Sequence, residues 1–200
     1  MRLFVALDID EQIRQRLATF VEGVRGFAPD ARWVTPESLH LTLKFIGEWQ
    51  NESLPQIEKA LTALSGTPIE LRFHKYGFFP TDKAPRVFWV GIAGGAPLAD
   101  LAARVDEALS NLGIAKESRA FSPHLTLARG GGGSGAPGWR KGDRANSGFR
   151  RLQEKLATMS ALEFGTMTAR EFFLYQSQLS PKGSRYTKIA KFQLGQAEQK

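Results

Sequence analysis

The sequence contains no cysteine, which excludes disulfide bonds, thiolate nucleophiles and metal sites with cysteine ligands. A chain without disulfides suits a reducing compartment, and we expect a cytoplasmic protein. The apolar run near the N-terminus is too short for a signal peptide, and no stretch is long and apolar enough to span a bilayer. We therefore expect no membrane partner.

Histidine is also scarce, with three residues in a chain of 200, yet two of the three begin the same tetrapeptide. His-Leu-Thr-Leu occurs at residues 40–43 and again at residues 124–127. With ordinary residue frequencies, the chance of such a repeat is on the order of one in a thousand. Because side chains alternate along a strand, we expect each histidine and threonine to share an accessible face and the leucines to be buried.

Two imidazoles and two hydroxyls facing one cleft suit the cleavage of a phosphodiester. That reaction needs a base for the nucleophile, an acid for the leaving oxygen and donors for the phosphoryl oxygens. With a reference pKa of about 6.5, one imidazole can begin neutral as the base while the other begins charged as the acid. Threonine hydroxyls can donate to the phosphoryl oxygens. This chemistry requires no metal ion and no cofactor, and the tetrapeptides alone leave the two histidine roles interchangeable.

Other kinds of site explain the repeat less well. A zinc site needs three or four ligands, and neither a third histidine nor an HExxH spacing accompanies the pair. Ser122 lacks the glycine-flanked elbow of a serine nucleophile. His74 shares one side of a predicted strand with charged residues, which indicates a surface position.

Lysine and arginine exceed aspartate and glutamate by 27 − 20 = 7, and this surplus favours anionic partners such as RNA. The basic residues that cluster most are Lys141, Arg144, Arg150 and Arg151. A non-catalytic RNA-binding module that uses Trp139, Phe149 and neighbouring arginines is therefore an alternative of a different class. Such a module would leave the repeated tetrapeptide unexplained.

Hydrophobic periodicity predicts strands at residues 2–7, 32–34, 39–46, 69–79, 86–92, 125–128, 169–176 and 186–194. Helices are predicted after Asp8 or Asp10, at 51–64, at 97–112 and at 147–159, and Gly47 is expected to end the first motif strand. Each half contains a motif strand, a helix and then a strand pair, which indicates internal duplication. We expect an α+β fold of two pseudo-symmetric lobes, with mainly antiparallel sheets, outer helices and a central cleft between the motif strands.

A glycine-rich segment follows the second motif and suggests a flexible loop at residues 130–146. A phosphate-binding loop is disfavoured, because the Gly-Lys-Ser/Thr element is absent and no helix begins where that loop would need one. The segment is therefore interpreted as a connector or lid, and its composition also resembles an artificial linker. With this loop included, residues 1–200 are expected to form a single bilobal domain.

The two motifs and their separation resemble the two-histidine (2H) phosphoesterase superfamily. Further segments resemble its bacterial RNA 2′,3′-cyclic phosphodiesterase branch, historically called 2′-5′ RNA ligases. These segments are residues 2–8, 39–47, 121–129 and 173–177, together with Gly183 and Tyr186. The resemblance covers nearly the whole chain, and the glycine run after Arg129 departs from the family pattern.

The resemblance implies hydrolysis of RNA 2′,3′-cyclic phosphate ends to 2′-phosphate ends. It makes His40 the proton donor to the leaving 3′-oxygen and His124 the proton acceptor from water. Thr42, Thr126 and Arg129 match residues that bind the phosphate, although simple alternation puts Arg129 on the opposite face from His124, so that a bend is required. Joining the cyclic end to a 5′-hydroxyl, which forms a 2′-5′ bond, is the alternative reaction.

Overall fold

The computed structural model describes residues 1–130, 147–180 and 183–195. Nine strands and four α-helices follow one another in these residues. They are β1 (Arg2–Asp8), α1 (Glu11–Val24), β2 (Arg32–Trp33), β3 (His40–Glu48), α2 (Leu54–Thr62), β4 (Ile69–Phe79), β5 (Val87–Ala93), α3 (Gly95–Ser110), β6 (His124–Arg129), α4 (Arg150–Ala157), β7 (Glu163–Ala169), β8 (Glu171–Ser180) and β9 (Gly183–Gln193). Single 3₁₀ turns at residues 25–27, 36–38, 51–53 and 147–149 complete the described secondary structure.

The strands form two antiparallel sheets, and each sheet contains one copy of the motif. The first sheet has the order β3-β1-β8-β9, with the His40 strand at its edge. The second has the order β2-β6-β5-β4-β7, with the His124 strand next to the short strand β2. Strands β3 and β6 contact each other, so the two motif strands lie side by side where the sheets meet. The fold is α+β and two-lobed, as predicted.

The helices join the two lobes because two of them pack on the sheet they do not follow in sequence. Helix α1 follows β1 of the first sheet but packs on β7 of the second, where the Arg16 guanidinium donates to the Phe164 carbonyl at 3.0 Å. Helix α3 follows β5 of the second sheet but packs on β3 of the first. A single large hydrophobic cluster therefore includes buried residues of both sheets and all four helices.

Most predicted elements are confirmed within a few residues. Helix α1 begins after Asp10, whose side chain accepts a hydrogen bond from the backbone N–H of Ile13 at 2.9 Å. The predicted end of β3 at Gly47 is wrong, because Gly47 pairs with Leu3 in the ladder and the strand continues to Glu48. Two predicted helices, at 51–64 and 147–159, are shorter than expected and begin with 3₁₀ turns.

Strand β7 was not predicted from the sequence. It is an edge strand with only two buried residues, Phe164 and Ala169, and its Gly165 has a φ of +107°. The hydrophobic alternation that identifies a half-buried strand is therefore weak in this segment. Its pairing with β4 explains why it is extended.

The predicted glycine-rich loop lies almost wholly outside the described residues. Gly130 is described, and its backbone N–H donates to the Arg86 carbonyl at 2.8 Å, which extends the pairing of β5 and β6. Residues 131–146 of the predicted loop lie beyond the described part of the chain. Among the helices that the structure describes, none has the length and apolar character needed to cross a membrane.

Candidate active site

The first motif strand, β3, places His40, Thr42 and Phe45 on one side. Leu41 and Leu43 are buried, as predicted for alternating positions. The pairing of Ala6 with Thr42 and of Val5 with Lys44 leaves Leu43 as an extra residue, which is a β-bulge. The bulge resets the alternation, and Phe45 therefore returns to the side of the histidine.

The second motif strand, β6, repeats this arrangement. The pairing of Trp89 with Thr126 and of Phe88 with Ala128 leaves Leu127 as the extra residue. Leu127 and Ala128 are both buried, whereas Arg129 is exposed. The bend that the sequence required is present, and it returns Arg129 to the side of His124.

Both imidazoles are held in the same way by the backbone just before their strand. The Nδ1 atom of His40 lies 2.7 Å from the Ser38 carbonyl, and the Nδ1 atom of His124 lies 2.7 Å from the Ser122 carbonyl. Because a carbonyl oxygen can only accept, Nδ1 carries the hydrogen in both rings. The Nε2 atom of each ring is thus left to accept a proton, or to donate one when the ring is charged.

The surroundings of His40 disfavour its charged form. Burial lowers the pKa of His40 to about 4, and the nearby charges of Arg129 and Arg14 add to this effect. The Ser38 carbonyl and the negative charge of Asp8 act in the opposite direction. In the free protein at pH 7, this imidazole is therefore neutral.

His124 has a lowered pKa for a similar reason. Burial is the main cause, the Ser122 carbonyl opposes it, and the positive charge of Arg129 lowers the pKa further. The charge of Arg129 is thus among the causes that lower the pKa of both imidazoles. The contact between β3 and β6 brings the two motif strands next to each other.

Thr42 and Thr126 are half-buried beside the histidines of their strands. Within the described part of the chain, neither hydroxyl has a hydrogen-bond partner. Both hydroxyls can therefore donate to a bound ligand. An oxyanion near them would meet two hydroxyls, two imidazole Nε2 atoms and one guanidinium.

Aromatic rings surround His40, and prediction from the sequence did not identify them as part of the site. The Phe4 ring lies 4.7 Å from the His40 ring and 6.1 Å from the Phe45 ring, and Tyr186 meets His40 edge-on at 4.9 Å. Phe45 is 59% exposed, which is unusual for so large an apolar side chain. It offers a surface on which a base can stack.

A second aromatic group surrounds His124. The Phe79 ring meets His124 edge-on at 5.0 Å, and the Trp89 ring lies 6.2 Å from it. The indole of Trp89 lies against Gly77 of the neighbouring strand, where an added Cβ would stand 2.2 Å from an atom of the ring. The glycine therefore makes room for Trp89 next to the second histidine.

A cavity of about 400 Å³ opens on the His40 side of the site. Tyr175, Tyr186 and Lys188 line it together with Asp8 and His40, whereas His124 does not. Among the described residues, this cavity therefore adjoins the first motif histidine and not the second.

One residue that the RNA-binding alternative used is not part of this site. Phe149 is fully buried and packs against Phe78 at 5.6 Å, so it cannot stack on RNA as the binding-module alternative required. Trp139, Lys141 and Arg144 lie outside the described residues. The described residues include no cluster of three or more histidine or acidic side chains that could hold a metal ion.

The sequence matches the model of the LigT-like phosphoesterase family twice, over residues 7–89 and 90–186. A relative from Archaeoglobus fulgidus, named RNA 2′,3′-cyclic phosphodiesterase, is 35% identical over 96% of this chain and 100% of its own length. A relative of the same name from Methanocaldococcus jannaschii is 34% identical over 94% of this chain and 98% of its own length. The two family matches divide the chain between the motifs, which agrees with the predicted duplication.

Solved structures show the same fold. A crystal structure of a Thermus thermophilus protein is 30% identical and superposes with a TM-score of 0.75, covering 96% of this chain and 97% of the other. Escherichia coli LigT in complex with 3′-AMP is 25% identical, with a TM-score of 0.76 and 98% of each chain covered. The two-lobed architecture is therefore shared over nearly the whole chain.

Proposed function

The chain belongs to the LigT-like phosphoesterase family, and from this membership we propose that it is an RNA 2′,3′-cyclic phosphodiesterase. The observation that carries the proposal is the paired geometry of the two motifs. Each strand presents an imidazole whose Nδ1 is bonded to its own backbone and a threonine hydroxyl with no partner among the described residues. The names of the relatives supply the substrate class, RNA with a cyclic phosphate end.

In the proposed reaction, water attacks the phosphorus of the cyclic phosphate while the bond from phosphorus to the 3′-oxygen breaks. Nε2 of His124 takes a proton from the water, and protonated Nε2 of His40 gives its proton to the leaving 3′-oxygen. The phosphate stays on the 2′-oxygen, so the product is a 2′-phosphate end. Thr42, Thr126 and Arg129 donate to the phosphoryl oxygens and stabilise their charge.

The cavity supports this assignment of acid and base, which the tetrapeptides could not decide. Attacking water and leaving oxygen lie on opposite sides of the phosphorus in an in-line displacement. The ribose therefore lies on the side of the histidine that protonates the 3′-oxygen. Because the cavity adjoins His40 and not His124, His40 is the better proton donor.

His40 must gain a proton before it can act as the acid, since its pKa of about 4 leaves it neutral at pH 7 in the free protein. The negative charge of a bound cyclic phosphate favours the charged ring and raises that pKa. Its effect opposes those of burial and of Arg129. Substrate binding and proton uptake are therefore coupled in this proposal.

Turnover of an oligonucleotide with a 2′,3′-cyclic phosphate end, in the presence of EDTA, tests the proposal. We expect a 2′-phosphate end as the product and an undiminished rate with the chelator. A 2′-5′ linked product after addition of a 5′-hydroxyl oligonucleotide would show ligation with the same groups. Binding of the oligonucleotide without any conversion would contradict the enzymatic proposal and favour a binding module.

A further inference from the structure

The cavity beside His40 extends beyond the groups that the phosphate itself needs. The histidines, threonines and Arg129 all lie on β3 and β6, whereas the cavity reaches across the first sheet to β9. Its volume of about 400 Å³ falls within the range of about 300–1,000 Å³ that is usual for small-molecule sites. A ligand group other than the cyclic phosphate can occupy it.

The position of the cavity indicates which part of an RNA end would enter it. The ribose of the terminal nucleotide lies on the His40 side of the phosphorus in the reaction proposed above. The rest of the strand is attached to this ribose through its 5′-carbon. The preceding nucleotide is therefore delivered to the same side, where the cavity lies.

The charges that line the cavity suit one phosphodiester. Three cations, of Arg14, Lys188 and Arg185, face two carboxylates, of Asp8 and Glu37, which leaves one net positive charge. Arg14 is only 13% exposed and is paired with Asp8 at 2.9 Å, so its charge is compensated within the protein.

Lys188 and Arg185 are the cations that remain for a ligand. The Nζ atom of Lys188 lies 2.5 Å from an oxygen of Asp8 and 4.2 Å from the centre of the Phe173 ring, and the side chain is 46% exposed. An ammonium group has three donors, so two remain after the bond to Asp8. The side chain of Arg185 has no ion-pair or hydrogen-bond partner among the residues that the structure describes.

Two tyrosines complete the cavity. Tyr175 is buried and stacked on Phe4 at 5.1 Å, and Tyr186 is half-buried, with its ring 5.3 Å from that of Phe4. Rings held in place in this way offer a rigid surface to a base or ribose without a further loss of side-chain entropy.

We propose that this cavity binds the penultimate nucleotide of an RNA end, with Lys188 and Arg185 holding the phosphodiester that joins it to the terminal nucleotide. The proposal rests on the hydrolase function proposed above. It makes the protein selective for RNA strands over cyclic mononucleotides.

Three substrates test this selectivity in the unaltered protein. They are 2′,3′-cyclic AMP, a dinucleotide with the same cyclic end, and that dinucleotide with a neutral methylphosphonate linkage. Both dinucleotides have a 2′-deoxy residue at the 5′ position, so that the neutral linkage is stable. We expect kcat/KM for the charged dinucleotide to exceed that for its neutral analogue by about tenfold, the size of one charge-assisted hydrogen bond. Equal values for all three would overturn the inference, whereas no turnover of any of them would instead count against the proposed function.

Substitutions then identify the contacts. In Lys188→Gln and in Arg185→Gln, the ratio of kcat/KM between the charged and the neutral dinucleotide is expected to fall towards one. Arg170→Gln is the matched control, because it also removes an exposed arginine but does so away from the cavity. Arg170 directly precedes β8, at the end of the β8–β9 ladder where Glu171 pairs with Gln193. Arg185 pairs with Gln178 towards the other end. A ratio that both cavity variants leave unchanged would overturn the assignment of these two residues.

Discussion

The two motif strands have the same first four residues and the same bulge, but they differ in the two residues that follow. On β3 these are Lys44, which is buried, and Phe45, which is exposed. On β6 they are Ala128, which is buried, and Arg129, which is exposed. The imidazoles and the threonine hydroxyls of the proposed reaction are therefore present in both halves, whereas an exposed aromatic ring, an exposed guanidinium and a buried ammonium each occur in only one of the two motif strands. A nucleotide has a base on one side and a phosphate on the other, so a symmetric binding site would suit it poorly.

Loss of either motif histidine, which both halves have, should reduce turnover more than any other change. His40→Ala and His124→Ala should each lower turnover of a cyclic-phosphate oligonucleotide by about 10²- to 10⁴-fold, because each removes one positioned acid–base group. Initial rates with purified variants would measure this. His74→Ala, which removes the third histidine from β4, is the matched control and should retain full activity. Full activity in either motif variant would refute the two-histidine mechanism.

Lys44 of β3 is buried and forms an ion pair, whereas Ala128 at the corresponding position of β6 cannot form one. Lys44 is the one charged side chain that is buried among the described residues, at 4% exposure, and its Nζ lies 2.5 Å from Asp106 of α3 and 2.6 Å from the Ala115 carbonyl. Burial alone would raise the pKa of Asp106, but the hydrogen bond from Lys44 holds it below its usual value. The ion pair therefore joins β3, the first motif strand, to α3, a helix that follows β5 of the second sheet in sequence.

Lys44→Met should lower the free energy of unfolding by about 2 kcal/mol, because it removes the charge-assisted hydrogen bonds to Asp106 and to the Ala115 carbonyl. Urea denaturation of the variant and the wild type would measure the difference. The double variant Lys44→Met/Asp106→Leu should recover part of the loss, since it removes both charges. A single variant as stable as the wild type would show that the pair does not stabilise the fold.

Phe45 of β3 can stack on a base, whereas β6 has Arg129 at the corresponding position. Phe45→Ala should raise KM for a cyclic mononucleotide about tenfold with a smaller change in kcat, because stacking of a base on an aromatic ring contributes about 1–3 kcal/mol. Phe45→Tyr keeps the ring and should retain the wild-type KM. A change in kcat alone, or none in either constant, would show that the ring does not hold the base.

Replacement of Asp8 should have a weaker effect, because its charge acts on one motif histidine only. Burial alone would raise the pKa of Asp8, but hydrogen bonds from Lys188 and the Ile9 backbone keep it below its usual value, so the carboxylate is charged. That charge raises the pKa of His40 and is not among the causes acting on His124. Asp8→Asn should therefore shift the titration of His40 to lower pH and leave that of His124 in place.

Nuclear magnetic resonance can follow this titration directly, because the protein has only three histidines. In the wild type, both motif rings should titrate below 6.5, since burial lowers both pKa values. The proposed reaction needs a protonated His40, and the free protein loses this proton as the pH rises through the lowered pKa. We therefore expect kcat/KM to be highest below pH 6.5. If Asp8→Asn shifted the titration of His40 and that of His124 equally, the charge of Asp8 would not distinguish the two histidines and the prediction would be wrong.

The motif residues could be predicted from the sequence because two local patterns specify them. The repeat marks His40 and His124, and the alternation of leucines gives the face on which Thr42 and Thr126 lie. Arg129 can lie on the side of His124 only if the strand contains a bulge. The sequence did not show where this bulge is, and the strand register shows that it is at Leu127. Phe45 was not predicted, because an apolar residue on a buried strand is ordinarily part of the core.

Repeats and hydrophobic periods within short segments were enough to predict the two motif strands, the α+β composition and the duplication. The sequence did not reveal that α1 and α3 cross to the opposite sheets, that Lys44 pairs with Asp106 or that a cavity opens beside His40. Each of these joins residues far apart in the chain. Such contacts depend on how whole elements pack, and no local pattern records the packing.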